Sequence, residues 1–378
     1  MARRSLAGIS FKVDSAHYHL SATDHVLTVS LGAVYAQDLP NLDILRAIAV
    51  LSVVLSHILQ MFWKLEPFSL VIGRTGVLIF FVHTTLVLMM SMERSGESGW
   101  ALFRGFYIRR AFRIYPLSIL VVLALVPTTI PDAAWKQYHW VGWTGILNDV
   151  LLISNITRTP NITAPLWSLA FEVQMYLALP LLYLAMKNRT LFDRLVVWAA
   201  AMMCTDVSLW ASKGHESVLL YVPCFVAGTM AFPVHQPKIQ GWLWPICVMA
   251  GMLAFSLTLN GRGFQYESGG WIACLALALA IPRFQQATNR YLCAVAKLIA
   301  RYSYGIYLTH MPLIWICFVR LHPIPHAGQW GLFLTLVSAL PIILYHVVEA
   351  PMIQAGRRIA QSIDPTPRFA AVSQAAGM

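Results

Sequence analysis

Long apolar segments recur along almost the whole chain, and they constrain its fold more than any other feature. A helix needs about 20 apolar residues to cross the hydrocarbon core of a bilayer. Of the 378 residues, 58% are apolar and 11% are charged, whereas a soluble domain carries about 25% charged residues. This composition excludes an ordinary soluble globule, a disordered chain and a small disulfide-rich secreted module. The candidate spans are about 42–63, 70–92, 114–130, 165–186, 193–211, 217–233, 242–259, 270–283, 302–320 and 329–349.

The distribution of basic residues predicts how these spans are oriented. The chain has 27 Lys and Arg against 16 Asp and Glu, which gives a net charge of +11. With a cytoplasmic N-terminus and alternating loops, about 20 of the basic residues fall on the cytoplasmic side, as the positive-inside rule requires. We therefore expect an all-α, polytopic membrane helix bundle of about ten transmembrane helices with both termini cytoplasmic. The same rule accounts for the positive charge, so no nucleic-acid partner is expected.

Three parts of the chain differ in composition. Residues 1–40 are mixed, and Asp24 and His25 interrupt a weak signal-peptide core, so we expect a cytoplasmic N-terminal extension. Residues 41–353 contain all the candidate spans and are predicted to form one transmembrane domain. Residues 354–378 are expected to form a cytoplasmic C-terminal tail.

Two further features are interpreted as structural. The stretch 142–156 is apolar in places, but Asn148 and Asp149 interrupt it, so we expect an outer re-entrant or interfacial segment. The six cysteines form no CxxC pair, so neither a metal site nor a disulfide framework is predicted. Free cysteines are usually small buried hydrophobes, and this is the expectation for Cys204, Cys224, Cys247, Cys274, Cys293 and Cys317.

Arg46 and His57 are ionisable residues inside the first span, where such groups are costly and indicate function. Eleven residues separate them, which is about 16 Å along a helix and close to three full turns. They should therefore share one face, with Arg46 near the cytoplasm and His57 in the outer half. Taken singly, Arg46 could be an interface anchor and His57 a packed polar residue. Their common face favours a functional interpretation.

A basic cluster at Arg109, Arg110 and Arg113 precedes the third span. Arg110 and Arg113 are spaced i, i+3, so they would project together from a helix. Paired guanidinium groups suit phosphate oxygens, although charge alone favours a positive-inside anchor. For Glu349, at the end of the last span, a carboxylate at the water line and an ion pair to this cluster are about equally favoured.

Two spans also carry polar stripes on one helical face. A glutamate inside an apolar helix needs a partner or a proton. The stripe on the fourth span consists of Ser168, Glu172 and Tyr176, and the stripe on the ninth span consists of Ser303, Tyr307 and His310.

Six segments, in this order, resemble the acyltransferase 3 family of integral-membrane acyltransferases. They are LDILRAIAVLSVVLSH at 42–57, GRTGVLIFF at 73–81, FYIRRAFRIYP at 106–116, LWSLAFEVQMYLALPLL at 166–182, YSYGIYLTHMPL at 302–313 and VEAPMI at 348–353. The sequence departs from the family pattern after Phe80-Phe81. There the family commonly continues with a Ser-Gly pair, but here Val82 is followed by His83-Thr84.

The resemblance implies O-acylation of an extracytoplasmic hydroxyl, usually on a carbohydrate or lipid-linked glycan, with an acyl group (acetyl is expected) from cytoplasmic acyl-CoA. It implies that Arg46 and His57 form the family's arginine–histidine motif and that Arg110 and Arg113 form its RxxR motif. It also implies a multi-pass protein of a bacterial inner membrane whose partners are the bilayer, acyl-CoA and the acceptor. We expect no permanently bound cofactor and no metal.

The hypothesis for the chemistry is that His57 removes the acceptor proton, because a sugar hydroxyl needs a base and histidine titrates near neutral pH. The sequence does not exclude a covalent acyl-histidine relay. Arg110, Arg113 and Arg109 are expected to hold the CoA phosphates, and Arg46 is expected to help hold them or to act in catalysis beside His57. The residues expected to orient the reaction or bind substrate are Glu172, His310, Trp167, Ser168 and Tyr307.

Two other functions remain open from the sequence. A secondary transporter of a small anion or acyl compound would also use intramembrane Arg, Glu and His side chains. Against it, the chain has no paired inverted halves and no matched spans broken by Gly or Pro. A catalytically inactive sensor or scaffold is the third alternative, and the unbroken Arg46–His57 pair counts against it.

Overall fold

The computed structural model describes residues 39–63, 68–128, 130, 140–212, 218–232, 237–259 and 267–363. Most of the predicted N-terminal extension and the residues from 364 onward therefore lie outside the described part. Within the described part, regular secondary structure is helical, and one isolated bridge joins Ile239 to Phe284. This agrees with the predicted all-α bundle.

The α-helices are numbered in chain order. They are α1 Pro40–Trp63, α2 Phe68–Ser95, α3 Gly99–Leu125, α4 Gly142–Leu151, α5 Ser154–Thr157, α6 Leu166–Met186, α7 Leu191–Ala211, α8 Val222–Gly228, α9 Leu243–Leu259, α10 Glu267–Ala280, α11 Arg290–Ile314, α12 His326–Leu344 and α13 Ala350–Ile363. Short 3₁₀ turns cover Val218–Tyr221, Thr229–Ala231 and Ile281–Arg283, and π-helical turns cover Trp315–Arg320 and Tyr345–Glu349.

Five helices in the described part are long and apolar enough to cross a membrane. They are Pro40–Trp63, Phe68–Ser95, Leu166–Met186, Leu191–Ala211 and the continuous helix His326–Ile363, and shorter apolar helices cover Leu219–Ala231, Leu243–Leu257 and Ser268–Arg283. Large apolar side chains such as Trp210 and Leu177 are exposed on the outside of the bundle, where lipid would cover them. The chain is therefore a multi-pass membrane protein. The count of about ten spans and the side of each terminus stay predictions.

Two predicted spans are parts of longer helices. The third span was expected to start at 114, but α3 starts at Gly99 and contains the whole basic cluster. The ninth was expected to start at 302, but α11 starts at Arg290. The predicted spans began after charged residues. A helix can continue through charged residues, however, where their side chains have partners or reach water. The last helix likewise runs past the predicted tail boundary to Ile363.

The expected burial is confirmed for three of the six cysteines. Cys224, Cys274 and Cys317 are buried and Cys293 is half-buried, but Cys204 and Cys247 are exposed. Both lie on apolar helices whose outer surfaces would face lipid rather than water, and a thiol, as a small hydrophobe, is tolerated there.

Helix α1 packs between α2 on one side and α11 on the other. The close approach of α1 and α2 depends on Gly76, because a Cβ atom at this position would lie 2.7 Å from the carbonyl oxygen of Ala49. Arg46 and His57 both contact α11. The packing of α1 against α11 thus brings its ionisable residues to the polar stripe of α11.

Prolines precede both π-helical turns. Pro312 and Pro341 lie near the ends of α11 and α12, and the turns Trp315–Arg320 and Tyr345–Glu349 follow them. Proline removes a backbone donor from the helix, and wide turns of this kind are frequent at functional sites. The second turn ends at Glu349, whose side chain is buried against α3.

The predicted interfacial segment consists of the short helices α4 and α5. Helix α4 includes the polar pair Asn148-Asp149 and continues to Leu151. Asp149 is fully buried, and its Oδ2 accepts a hydrogen bond from the Ile162 backbone N–H over 2.6 Å. Burial raises the pKa of this carboxyl to about 7, and the Ile162 hydrogen bond opposes the shift.

Candidate active site

Two cavities meet in the middle of the bundle, and the first is rich in arginine. This arginine cavity has a volume of about 90 Å³ and lies between α1, α2, α3, α6 and α11. Its polar lining consists of Arg46, His83, Thr84, Arg110, Arg113, Ser168, Glu172, Tyr176, Ser303, Tyr304 and Tyr307. The RxxR pair, the whole stripe of the fourth span and two residues of the ninth-span stripe, Ser303 and Tyr307, therefore converge on one space.

The three arginines of this cavity differ in their partners. Arg46 donates through Nε to Ser303 Oγ over 2.6 Å. Arg113 forms an ion pair with the buried Glu349, with 3.1 Å between the guanidinium nitrogen and the carboxylate oxygen. Arg110 makes no hydrogen bond or ion pair within the part of the chain that the structure describes. Its guanidinium is therefore available to an anionic ligand.

Glu172 is the carboxylate of the arginine cavity. Its Oε1 accepts hydrogen bonds from Tyr176 OH over 2.5 Å and from Thr84 Oγ1 over 3.1 Å. With three arginines against this one carboxylate, the lining carries an excess of positive charge. Such an excess favours an anion as the occupant.

Arg109, expected to bind CoA with its neighbours, does not line the arginine cavity. Its two terminal nitrogens each donate to a carboxylate oxygen of Glu97 over 2.7 Å. Adjacent helical residues project about 100° apart, so Arg109 points to another side of α3 than Arg110. This bidentate pair fixes the loop before α3 rather than forming part of the cavity.

The second cavity contains the predicted base. This histidine cavity has a volume of about 300 Å³, and no carboxylate side chain lies among its described lining residues. Its lining consists of Val53, Ser56, His57, Gln60, Leu70, Gly73, Arg74, Val77, Pro165, Trp167, Tyr221 and Tyr307. Its volume is more than three times that of the arginine cavity.

His57 and His310 form a pair beside this cavity, with their ring centroids 5.2 Å apart. His310 is fully buried, and its Nδ1 lies 2.7 Å from the backbone oxygen of Tyr307. A carbonyl oxygen only accepts, so this contact requires the hydrogen on Nδ1 and leaves a lone pair on Nε2. Nε2 of His310 and Nδ1 of His57 are buried without hydrogen-bond partners among the described residues.

Tyr307 separates the two cavities. Its ring and the Val77 side chain line both of them. The Tyr307 hydroxyl lies 2.5 Å from Ser168 Oγ and donates to the Pro165 carbonyl oxygen over 3.2 Å. The Ser168–Tyr307 hydroxyl pair therefore lies at the boundary that the two cavities share.

Arg46 and His57 share one face of α1 but lie far apart along the helix, so they contact α11 on either side of Tyr307. Arg46 contacts Ser303 and His57 contacts His310, so both side chains point to α11. They nevertheless line different cavities. Sequence spacing could indicate the common face, but it could not reveal the partition.

Several lining residues were missed by the sequence analysis. Arg74 and Tyr221 form one side of the histidine cavity, where Arg74 donates to the Tyr221 hydroxyl over 3.2 Å. Arg74 is an arginine inside the second apolar segment, which was a usable signal, but it was counted only as an outward-lying charge. Tyr304 and Gln60 gave no comparable signal because neither is ionised.

No three His, Cys, Asp or Glu side chains lie close enough to hold a metal ion within the described ranges. The polar groups at the two cavities are instead guanidinium, hydroxyl and imidazole groups, the carboxamide of Gln60 and a single carboxylate. These can bind an anion and move a proton.

Comparison with known proteins identifies the family. A model of the acyltransferase domain, of the acyltransferase 3 type, matches residues 39–348. The chain belongs to this family. The match confirms the resemblance inferred from the six segments, and it includes every predicted site residue, while Glu349 lies just beyond it.

Individual relatives of this acyltransferase family member are distant. YrhL of Bacillus subtilis is 25% identical over 371 residues, covering 85% of this chain and 56% of YrhL. The peptidoglycan O-acetyltransferase OatA of Listeria monocytogenes is 22% identical over 361 residues, covering 84% of this chain and 56% of OatA. The acyltransferase MdmB of Streptomyces mycarofaciens is 25% identical over 263 residues, covering 64% of this chain and 62% of MdmB.

The chain thus spans just over half the length of YrhL and OatA. No solved structure gives a significant match.

Proposed function

We propose that this protein is a membrane O-acyltransferase that moves an acetyl group from acetyl-CoA to a hydroxyl of a carbohydrate on the opposite side of the membrane. The observation that carries the proposal is the meeting of an arginine-rich cavity and a histidine-containing cavity at Tyr307. Family membership and the name of OatA support acetyl transfer to a carbohydrate.

The arginine cavity is the proposed donor site. Its excess of guanidinium groups suits the phosphates of CoA, and Arg110 has no protein partner in the described part to displace. A volume of about 90 Å³ is room for only about three water molecules. The nucleotide must therefore remain near the mouth, at Arg110 and Arg113, and side chains must part as the acyl-bearing arm enters.

The histidine cavity is the proposed acceptor site. At about 300 Å³ it reaches the lower size of small-molecule sites, which are typically apolar and aromatic with a few polar groups. Trp167 offers an aromatic surface to a sugar ring, and Gln60 and Arg74 offer hydrogen-bond donors to its hydroxyls. This assigns Trp167 to the acceptor and the RxxR arginines to the donor.

Direct transfer follows from this placement. His57, which lines the cavity, removes the acceptor hydroxyl proton, and the oxygen attacks the thioester carbonyl carbon beside Tyr307. A carbon–oxygen bond forms as the carbon–sulfur bond breaks, and the thiolate leaves with the proton that His57 carries. His310 does not line either cavity, so we assign it the positioning of the His57 ring. The Ser168–Tyr307 hydroxyls border the point of transfer.

A transfer assay with purified protein tests the proposal against transport. Acetyl-CoA labelled in the acetyl group is supplied with peptidoglycan fragments, and the expected product is a labelled, alkali-sensitive ester on the carbohydrate. Acceptors without labelled ester, together with solute counterflow in proteoliposomes, would replace the proposal with a transporter. Transfer that survives intact in His57→Ala protein of parental stability would reject the assigned base.

A further inference from the structure

His83 is a histidine of the arginine cavity to which neither the family motifs nor the proposed mechanism gives a role. Its side chain is 3% exposed, it lines the cavity from α2, and its Nδ1 is buried without a hydrogen-bond partner among the described residues. Leaving a buried polar group unpaired costs about 1–3 kcal/mol. A bound ligand that supplies the missing partner recovers this free energy.

The other polar groups of the cavity are already engaged, apart from Arg110. Thr84 and Tyr176 donate to Glu172, Ser168 pairs with Tyr307, and Tyr304 donates to the Ile114 carbonyl oxygen over 2.8 Å. Arg46 pairs with Ser303, and Arg113 pairs with Glu349. Two polar groups therefore have no hydrogen-bond or ion-pair partner among the described residues, the guanidinium of Arg110 and Nδ1 of His83. Arg46 and Arg113 keep further guanidinium nitrogens that can also donate to a ligand.

The guanidinium of Arg110 and Nδ1 of His83 differ in what they recognise. A guanidinium is a charged fork that matches phosphate oxygens. Nδ1 of a neutral imidazole either donates or accepts, depending on the tautomer. A secondary amide provides both an N–H and a carbonyl oxygen, so it can satisfy Nδ1 in either tautomer, whereas an ionised phosphate oxygen only accepts.

We propose that His83 binds the amide-bearing arm that joins the thioester of the acyl donor to its phosphates. The proposal rests on the proposed function and extends it by assigning the arm and the phosphates to different residues. His83 then sets selectivity for the carrier: acyl thioesters with a pantetheine-type arm are accepted, and simple alkyl thioesters bind more weakly.

Two acyl donors distinguish the contact to the amide-bearing arm from the contact to the phosphates. Acetyl-CoA carries the amide arm and the phosphates, and acetyl-pantetheine carries the arm alone. His83→Leu removes the polar atom at similar size, and we expect it to raise KM about fivefold for both donors, as loss of one hydrogen bond of about 1 kcal/mol implies. Asn places a polar atom near the position of Nδ1, so His83→Asn should restore most of the parental KM, with kcat unchanged in both variants.

Two variants control the experiment. Thr85 lies on the same helix, fully buried against Gly228 and outside the cavity lining, so Thr85→Val should leave both KM values unchanged. Arg110→Ala should raise KM for acetyl-CoA and leave that for acetyl-pantetheine unchanged.

A KM increase in His83→Leu that is confined to acetyl-CoA would place His83 at the phosphates and overturn the proposal, as would a parental KM with both donors. Equal impairment of His83→Leu and His83→Asn would indicate packing instead. If the parent protein uses neither donor, the proposed function itself fails. If the parent and Arg110→Ala behave as expected while His83→Leu matches the parent, the assignment of His83 alone fails.

Discussion

The arginine cavity and the histidine cavity adjoin each other but differ in volume and in charge. The arginine cavity is small, strongly charged and held by ion pairs and hydroxyl contacts. The histidine cavity has more than three times the volume, and its cation lies against a tyrosine ring with the Arg74 guanidinium carbon 5.8 Å from the ring centroid. The difference fits the proposed assignment, in which the arginine cavity binds the charged acyl donor and the histidine cavity holds the base that removes the acceptor proton.

The largest effect on catalysis is expected in the histidine cavity. His57→Ala should lower acetyl transfer at least about a hundredfold, because a positioned general base contributes about 10²–10⁴ in rate. The KM for acetyl-CoA should stay near the parental value, since His57 does not line the arginine cavity. Steady-state kinetics with varied donor concentration measure both parameters.

His310→Ala is the matched control for this variant. It removes a buried imidazole that contacts His57 but lines neither cavity, so the rate should fall less than in His57→Ala. A completely inactive His310→Ala beside a half-active His57→Ala would move the base to α11.

The next effect is on stability, in the arginine cavity. Arg113→Ala leaves Glu349 as an unpaired buried carboxylate, and breaking a buried ion pair on one side costs about 3–5 kcal/mol. The 21% exposure of the Arg113 side chain places the expected loss at the lower end of this range. The double variant Arg113→Ala, Glu349→Gln should recover much of it, because no carboxylate is then stranded.

Thermal unfolding of the detergent-purified proteins measures this recovery. Arg109→Ala is the comparison for Arg113→Ala, because it breaks an ion pair outside the cavity. Its partner is Glu97, whose side chain is 12% exposed. A double variant no more stable than Arg113→Ala would contradict the assigned pairing.

The smallest effect is expected outside both cavities, at Asp149. Its pKa of about 7, raised by burial from the ordinary value of 3.8, means that the folded state binds the proton more tightly than the unfolded state. The resulting stabilisation is complete below about pH 3.8 and is lost as the pH rises through 7. Between pH 6 and 8 the parent should lose about 1 kcal/mol, following the linkage relation.

Asp149→Asn should remove this pH dependence while leaving transfer kinetics unchanged. Thermal unfolding at pH 6 and pH 8 measures the difference. An equal pH dependence in parent and variant would show that Asp149 does not titrate in this range.

The sequence predicted those features that repeat along one helix. The apolar segments gave the helical membrane fold, and the i, i+4, i+8 spacing correctly placed Ser168, Glu172 and Tyr176 on a common cavity wall. The eleven-residue spacing of Arg46 and His57 likewise put both side chains against α11. Which residues share a face of one helix follows from helical periodicity alone.

Features that join distant parts of the chain could not be predicted in the same way. Arg109 and Arg110 are neighbours, but the partner that removes Arg109 from the site is Glu97, in a loop before the helix. The π-helical turn after Pro341 buries Glu349 beside Arg113. The partition at Tyr307 depends on a contact to Ser168 between two helices far apart in sequence.

The central claim is that donor and acceptor approach from opposite cavities and react at Tyr307, and a sidedness assay tests it most directly. Sealed right-side-out vesicles are loaded with labelled acetyl-CoA, and a membrane-impermeant carbohydrate acceptor is supplied outside. The account predicts labelled ester on the external acceptor, abolished in His57→Ala vesicles and reduced in Arg110→Ala vesicles. Label that reaches the acceptor only when acetyl-CoA is supplied on the acceptor's own side would contradict it.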